Sequence, residues 1–263
     1  MQLGLEEKVA LVTGASSGLG FALAKELAVE GATVILCSRD KGRIDDAVAK
    51  ITEVTGRPTF GYVADTSREA DRIQLFAWIR STVRDPDILV INSGGPPAGL
   101  FETHSNERWD AAMDQHLGAA VHLARETVPA MRARHWGRIL TITSVSLKQP
   151  ASGMILSNTA RAALLGFART LANEVAKDGI TVINLMPGYT LTDRITELSG
   201  QMAKQRGVPQ REIIAEWERE IPMGRLGIAE EFAALGVLLC SSRASYITGT
   251  SIPVDGGWIK TLL

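Results

Sequence analysis

The chain has 263 residues, 45% of them hydrophobic and 22% charged, with 28 Lys and Arg against 29 Asp and Glu. The resulting net charge of −1, spread without a basic face, excludes nucleic acid and anionic lipid as partners and leaves a small-molecule substrate. No run of about 18 apolar residues is present to span a bilayer, and the opening MQLGLEEKVALVTG lacks the pattern of a signal peptide, so a soluble cytoplasmic protein is expected.

In chain order, short runs rich in Val, Ile and Leu predict strands at Val9–Thr13, Thr33–Cys37, Thr59–Val63, Ile88–Ile91, Arg138–Thr143, Thr181–Leu185 and Ser251–Val254. Continuous apolar runs of this length suit parallel strands covered on both faces. Helical patterns lie between them at Leu19–Glu30, Ile44–Thr55, Glu69–Arg84, Asn106–Arg134, Ile155–Lys177 and Ala229–Leu239. Strict alternation of this kind predicts right-handed βαβ crossovers and one parallel sheet between two layers of helices. The fold class is therefore α/β, a Rossmann-type doubly wound sheet. Such folds run to about 250 residues as one unit, so residues 1–263 form a single domain. Cys37 and Cys240, in apolar settings, read as buried thiols. The stretch 189–227, rich in Gly, Pro and charge, breaks the rhythm as an irregular insertion. On a fold with short connections it reads as a substrate-covering lid.

The first strand runs directly into Thr13-Gly14-Ala15-Ser16-Ser17-Gly18-Leu19-Gly20, and a helix follows. A diphosphate needs backbone N–H groups at a helix N-terminus, where the helix carries partial positive charge, and glycines let it approach. Gly14, Ser16, Ser17, Gly18, Leu19 and Gly20 thus form a candidate dinucleotide turn in the strand–turn–helix context that the motif requires. The second strand ends in Ser38-Arg39-Asp40, where an adenosine ribose would be read. A guanidinium at Arg39 suits a 2′-phosphate and favours NADP, while Asp40 keeps NAD open. Asp65, followed by Thr66, ends the third strand and could bind an adenine amino group or cap the next helix. Asn92-Ser93-Gly94-Gly95 ends the fourth strand, and its small residues leave room for a ligand. His104, His122 and His135 show no metal-ligand spacing, and no metal is expected.

Taken together, these segments resemble the short-chain dehydrogenase/reductases, most closely the 3-oxoacyl-ACP reductase-like branch, over nearly the whole chain. Thr13-Gly14-x-x-x-Gly18-x-Gly20 matches that family's cofactor turn, and Asn92-Ser93-Gly94-Gly95 is an altered form of its Asn-Asn-Ala-Gly motif. Pro187 and Gly188, followed by Thr190 and Thr192, are similar to the segment that contacts the nicotinamide carboxamide and phosphates. Gly224-Arg225-Leu226-Gly227, Tyr246 to Gly249 and Val254-Asp255-Gly256-Gly257 are similar to its C-terminal signature. The resemblance implies NADP(H), a ketone or alcohol substrate such as a 3-oxoacyl thioester, and a homotetramer.

It also implies a catalytic Asn, Ser, Tyr and Lys, and here the chain departs. Ser144 is kept. Ser157 stands thirteen residues later in the tyrosine's place, Arg161 follows four residues on in the lysine's place, and His116 takes the place of the Asn. A serine hydroxyl is a far weaker acid than a phenol of pKa about 10. A guanidinium can hold ribose hydroxyls but does not readily release a proton. His116 suits acid–base work by its ordinary pKa, so one reading has it supplying or relaying the proton while Ser144 and Ser157 orient the substrate oxygen. The other reading makes it a packing or helix-kink residue, and Tyr189 is a second candidate phenol donor. Two functions follow: an NADP(H)-dependent oxidoreductase, or a dinucleotide-binding protein of the same fold that has lost redox catalysis.

Overall fold

The computed structural model describes residues 2–262. Seven parallel strands make one sheet: β1 Val9–Thr13, β2 Thr33–Ser38, β3 Thr59–Val63, β4 Ile88–Ile91, β5 Gly137–Ile142, β6 Ile180–Pro187 and, near the C-terminus, β9 Ser251–Val254. Their spatial order is β3-β2-β1-β4-β5-β6-β9. The chain steps outward from β1 in one direction through β2 and β3, then returns to place β4 on the other side. That reversal opens a crevice beyond the carboxyl ends of β1 and β4, the place where ligands sit on open sheets of this kind.

The crossover helices are α1 Gly18–Val29, α2 Lys41–Thr55, α3 Glu69–Thr82, α4 Asn106–Met113, α5 Ala119–Ala133 and α6 Ile155–Val175. The insertion contributes a two-residue strand β7 Thr190–Leu191, then α7 Asp193–Arg206, α8 Gln210–Glu220 and a second short strand β8 Gly227–Ile228; α9 Ala229–Cys240 completes the set. Successive side chains on a strand point to opposite faces, and both faces are buried here. Val12 and Val34 pack with Leu23, Leu27, Phe232 and Val237 beneath α1 and α9. Leu11, Ile35 and Leu89 pack with Phe76, Leu123 and Leu164 beneath α3, α5 and α6. A fully buried side chain of this size stabilises the fold by roughly 1.5–3 kcal/mol, which is why the strands read as unbroken apolar runs. The sheet is also clamped at its amino-terminal edge. Asp87, 2% exposed, accepts the Val9 N–H at 2.9 Å and pairs with Arg84 at 2.6 Å and Arg134 at 2.9 Å. Cys37 and Cys240 are free, buried thiols, and burial pushes both up to about 12.

Two features depart from the expected elements. The helix expected over Asn106–Arg134 is broken by a π-turn at Asp114–Gly118, which separates α4 from α5 at His116. Such widened turns are frequent at functional sites. The stretch 189–227, expected to be irregular, is instead largely helical. α7 and α8 pack on each other through Ala203, Ile213, Trp217, Leu198 and Met202. Arg206 bridges them by gripping both oxygens of Glu216 at 2.6 and 2.8 Å. β7 pairs with β8 in parallel, so the entry and exit of this segment lie side by side.

Candidate active site

The glycine turn after β1 is built by local constraint. Gly14 has φ +58, and a side chain there would come within 2.8 Å of the Asn92 amide nitrogen and carbonyl oxygen. Asn92 explains the closeness: its Nδ2 donates to the Gly14 carbonyl at 3.0 Å, while the Thr13 hydroxyl donates to the Asn92 carbonyl at 2.8 Å. The ends of β1 and β4 are thus stitched together at the crevice. Gly18 also has positive φ, +57, and a side chain there would meet the Thr192 methyl at 3.4 Å. Gly20 packs against the Gly14 carbonyl, where a side chain has no room. Ser17 precedes α1 in extended conformation, and its side chain makes no capping bond. The first N–H groups of α1 therefore face the crevice uncapped, a cradle that fits a diphosphate.

At the adenosine end, Asp40 is committed elsewhere: its carboxylate accepts the Arg43 N–H at 2.9 Å as the N-cap of α2. Asp65 likewise accepts the Ser67 N–H at 3.0 Å and hydroxyl at 2.7 Å. Partial burial works to raise its pKa, but those bonds, with the charges of Arg39 and Arg68, hold it below the usual carboxylate range. The Thr66 carbonyl accepts from Arg72 at 2.6 Å. Arg39 is exposed. Beside the glycine turn lies a hollow of about 360 Å³ whose lining includes Ser16, Ser17, the cations Arg43 and Lys50 and the carboxylates Asp46 and Asp193. The chain pattern gave no sign of Arg43 and Lys50, which reach the turn from across α2.

The main cavity, about 370 Å³, runs from that turn across the strand ends to the insertion. It brings together Gly14, Ser17, Gly18, Leu19, Asn92, Gly94, Ser144, Arg161, Pro187, Gly188, Thr190 and Thr192 from the expected set. Ser16, Gly20, Arg39, Asp65, Thr66, His116 and Ser157 are not on its wall. Ser144 follows β5 and begins a short turn, accepting the Ser146 N–H at 3.1 Å, so its hydroxyl is held at the wall. Arg161 reaches in from α6. Burial first, then the charge of Arg194, lowers its pKa to about 10. Ser157 is 2% exposed, and its hydroxyl has no partner among the described residues. His116 is equally buried behind Ser93, whose hydroxyl lies 3.0 Å from its Nδ1, while its Nε2 has no partner among the described residues. Burial, reinforced by the Arg161 charge, depresses His116 to about 3, so the imidazole is neutral at ordinary pH. Ser93, from the motif at the end of β4, also lines the cavity, as do Arg194 and Trp258, which were not singled out in the sequence.

The insertion closes the far wall with aromatic rings. Tyr189 stacks on Trp217 with centroids 4.6 Å apart and an interplanar angle of 11°, and Trp258 meets Tyr189 edge-on at 5.7 Å. Trp258 also donates to Glu220 at 3.1 Å. Burial and the Glu220 charge raise the Tyr189 pKa, which weakens its phenol as a proton donor.

A family profile described as enoyl-(acyl carrier protein) reductase matches residues 14–259, which spans the glycine turn, Ser144, Arg161 and the C-terminal strand. The chain belongs to the short-chain dehydrogenase/reductase family. Within it, the chain falls in the 3-oxoacyl-ACP reductase-like branch. It is 33% identical to a 3-oxoacyl-[acyl-carrier-protein] reductase of Aquifex aeolicus, over 98% of this chain and 99% of that one. It is 32% identical to a D-beta-hydroxybutyrate dehydrogenase of Cupriavidus necator, over 97% and 99% respectively. Among solved structures, the L-sorbose reductase of Gluconobacter frateurii, complexed with NADPH and L-sorbose, superimposes with a TM-score of 0.95 at 35% identity, covering all of both chains. This short-chain dehydrogenase/reductase is an oxidoreductase with a Rossmann-type sheet. No described helix is long and apolar enough to cross a membrane.

Proposed function

We propose that the enzyme moves a hydride between NADP(H) and a ketone or secondary alcohol in the main cavity. The observation that carries this reading is continuity: one cavity joins the glycine turn to Ser144 and Arg161. When bound, the nicotinamide supplies the hydride. Gly14, Gly18 and the start of α1 hold the diphosphate, and Thr190 and Thr192 close on it from the insertion. The cations Arg39, Arg43 and Lys50, with Asp40 committed to its cap, favour a 2′-phosphate over a free ribose hydroxyl. Asp65 and Thr66 flank the adenine, and Pro187 and Gly188 back the nicotinamide. Arg161 holds the nicotinamide ribose.

Ketone reduction also consumes one proton, delivered to the oxygen that becomes the alcohol. Ser144 donates the hydrogen bond that polarises this oxygen. Ser157, buried one turn before Arg161, positions α6 and takes no proton. The proton comes from solvent water: the His116 Nε2, which no described residue occupies, takes it up as Nδ1 releases one to Ser93 on the cavity wall, and the Ser93 hydroxyl passes its own proton to the oxygen held by Ser144. The segment 189–227 acts as the lid over a small ketone, within the single domain 1–263. The relatives' names point to 3-oxoacyl, 3-hydroxy acid and ketose substrates. The enzyme is proposed to work in the cytoplasm as a homotetramer, which sedimentation would check.

The test is a titration with NADPH and NADH followed by a ketone panel. Tight NADPH binding and consumption of NADPH with one or more ketones is expected. Tight binding without consumption of any ketone would support the alternative, a dinucleotide sensor that has lost its proton donor with the tyrosine. Absence of binding would remove both.

A further inference from the structure

Arg161 and Arg194 stand together, and no carboxylate among the described residues comes within ion-pair distance of either. A side chain at Gly95 would meet the Nη2 atom of Arg194 at 3.6 Å and that of Arg161 at 3.8 Å, so the two guanidinium tips flank one point at the end of β4. Neither makes an ion pair among the described residues, where every other cavity-facing charge is the single carboxylate of Asp193. The Arg161 Nε is buried and has no partner there either. Like charges brought this close repel unless an anion sits between them, and a planar pair of guanidinium forks matches a carboxylate.

From this geometry we infer that the substrate carries a carboxylate, seated between Arg161 and Arg194 beside Gly95, with its carbonyl turned toward Ser144. This deepens the proposed function and rests on it. Gly95 follows β4, which lies between β1, the strand of the diphosphate cradle, and β5, the strand that leads to Ser144, so the clamp is within reach of both. Arg161 has five N–H donors, so ribose hydroxyls and a carboxylate can share it. Arg194, exposed on the second residue of α7, belongs to the lid and completes the clamp from the solvent side.

The experiment compares a short oxo carboxylate with its methyl ester, matched in carbonyl position. Binding is followed by the fluorescence of Trp217 and Trp258 in the NADP-loaded and unloaded protein, and turnover by NADPH consumption. The acid is expected to bind at least about tenfold more tightly than the ester, and Arg194→Gln to collapse that ratio, while Arg206→Gln, in the lid but outside the cavity, preserves it. Arg194 is exposed, so its variant folds, and a melting curve verifies this. Equal binding of acid and ester by the wild type overturns the inference. So does an Arg194→Gln protein that keeps the acid preference but loses about tenfold in NADPH affinity, because the guanidinium would then serve the cofactor phosphates. Acid-selective fluorescence binding without any NADPH consumption would uphold the carboxylate site and refute the redox reading instead, so the two failures are separable.

Discussion

Replacing Gly14 by Ala tests the cradle directly, and the structure supplies its own control. Gly14 and Gly56 have nearly the same backbone, φ +58 and +60, but a Cβ at Gly56 meets nothing within 4 Å, whereas one at Gly14 meets Asn92 at 2.8 Å. Gly56→Ala therefore carries only the left-handed penalty, about 1–2 kcal/mol. Gly14→Ala carries that penalty plus the displacement of a backbone carbonyl and the amide tied to it, about 1–3 kcal/mol more, as for an overpacked core. At about 3 °C per kcal/mol for a domain of this size, Tm should fall by roughly 3–6 °C for Gly56→Ala and by roughly 6–15 °C for Gly14→Ala. The turn must also shift to relieve the contact, and the N–H groups of the cradle lose their aim. NADPH affinity should therefore fall at least about tenfold, or about 1.4 kcal/mol, in Gly14→Ala alone. Calorimetric melting and NADPH titration of both variants make the measurement. If Gly14→Ala melted with Gly56→Ala and bound NADPH like the wild type, the cradle at this turn would be refuted.

Ser144→Ala should lower kcat by about 100-fold or more while NADPH affinity holds, since the lost hydroxyl acts on the reacting oxygen; steady-state kinetics with any accepted ketone decide. His116, whose pKa falls from 6.5 to about 3 on folding, gives a pH signature. Its folded-state pKa is depressed, so its contribution is present above pH 6.5 and is lost as pH falls toward 3, where the unfolded chain binds the proton that the folded one refuses. Between about pH 6.5 and 5 this removes about 2 kcal/mol, at about 1.36 kcal/mol per pH unit. Urea unfolding across that range should show the slope in the wild type, and His116→Asn should flatten it. Asp87→Asn, at the opposite end of the sheet from the cavity, leaves Arg84 and Arg134 facing a neutral amide and should cost about 3 kcal/mol in urea unfolding, given a buried carboxylate with half-exposed partners. NADPH affinity of the folded fraction should not change.

The sheet was legible because burial on both faces leaves no alternative to runs such as Ile88–Ile91. The glycine turn was legible because its demands are local: Gly14 and Gly18 adopt positive φ, and Gly20 has no space. The stretch 189–227 was legible as a break in rhythm but not as two helices. Ile195, Leu198 and Met202 hold helical spacing in α7, yet charged neighbours and Gly200 dilute the pattern, and the apolar face is satisfied only by Ile213 and Trp217 of α8. Arg194 and Arg43 were hidden for a different reason. Their roles depend on which distant elements they meet, and nothing in the local sequence separates an arginine facing Gly95 from one facing water. His116 shows the limit most plainly: its ordinary pKa suggested an acid, while its burial behind Ser93 leaves it uncharged.

The pairing of β7 with β8 has a consequence for how such enzymes diversify. Residues 190–191 and 227–228 lie next to each other, so the chain leaves and re-enters the scaffold at one place. The segment between them is pinned at two further places, where Thr192 meets Gly18 of the glycine turn and where Glu220 and Met223 bond Trp258 and Gly256. A graft of different length at that place therefore has to keep Thr192 and the contacts to residues 256–258 if the cofactor half is to stay as it is.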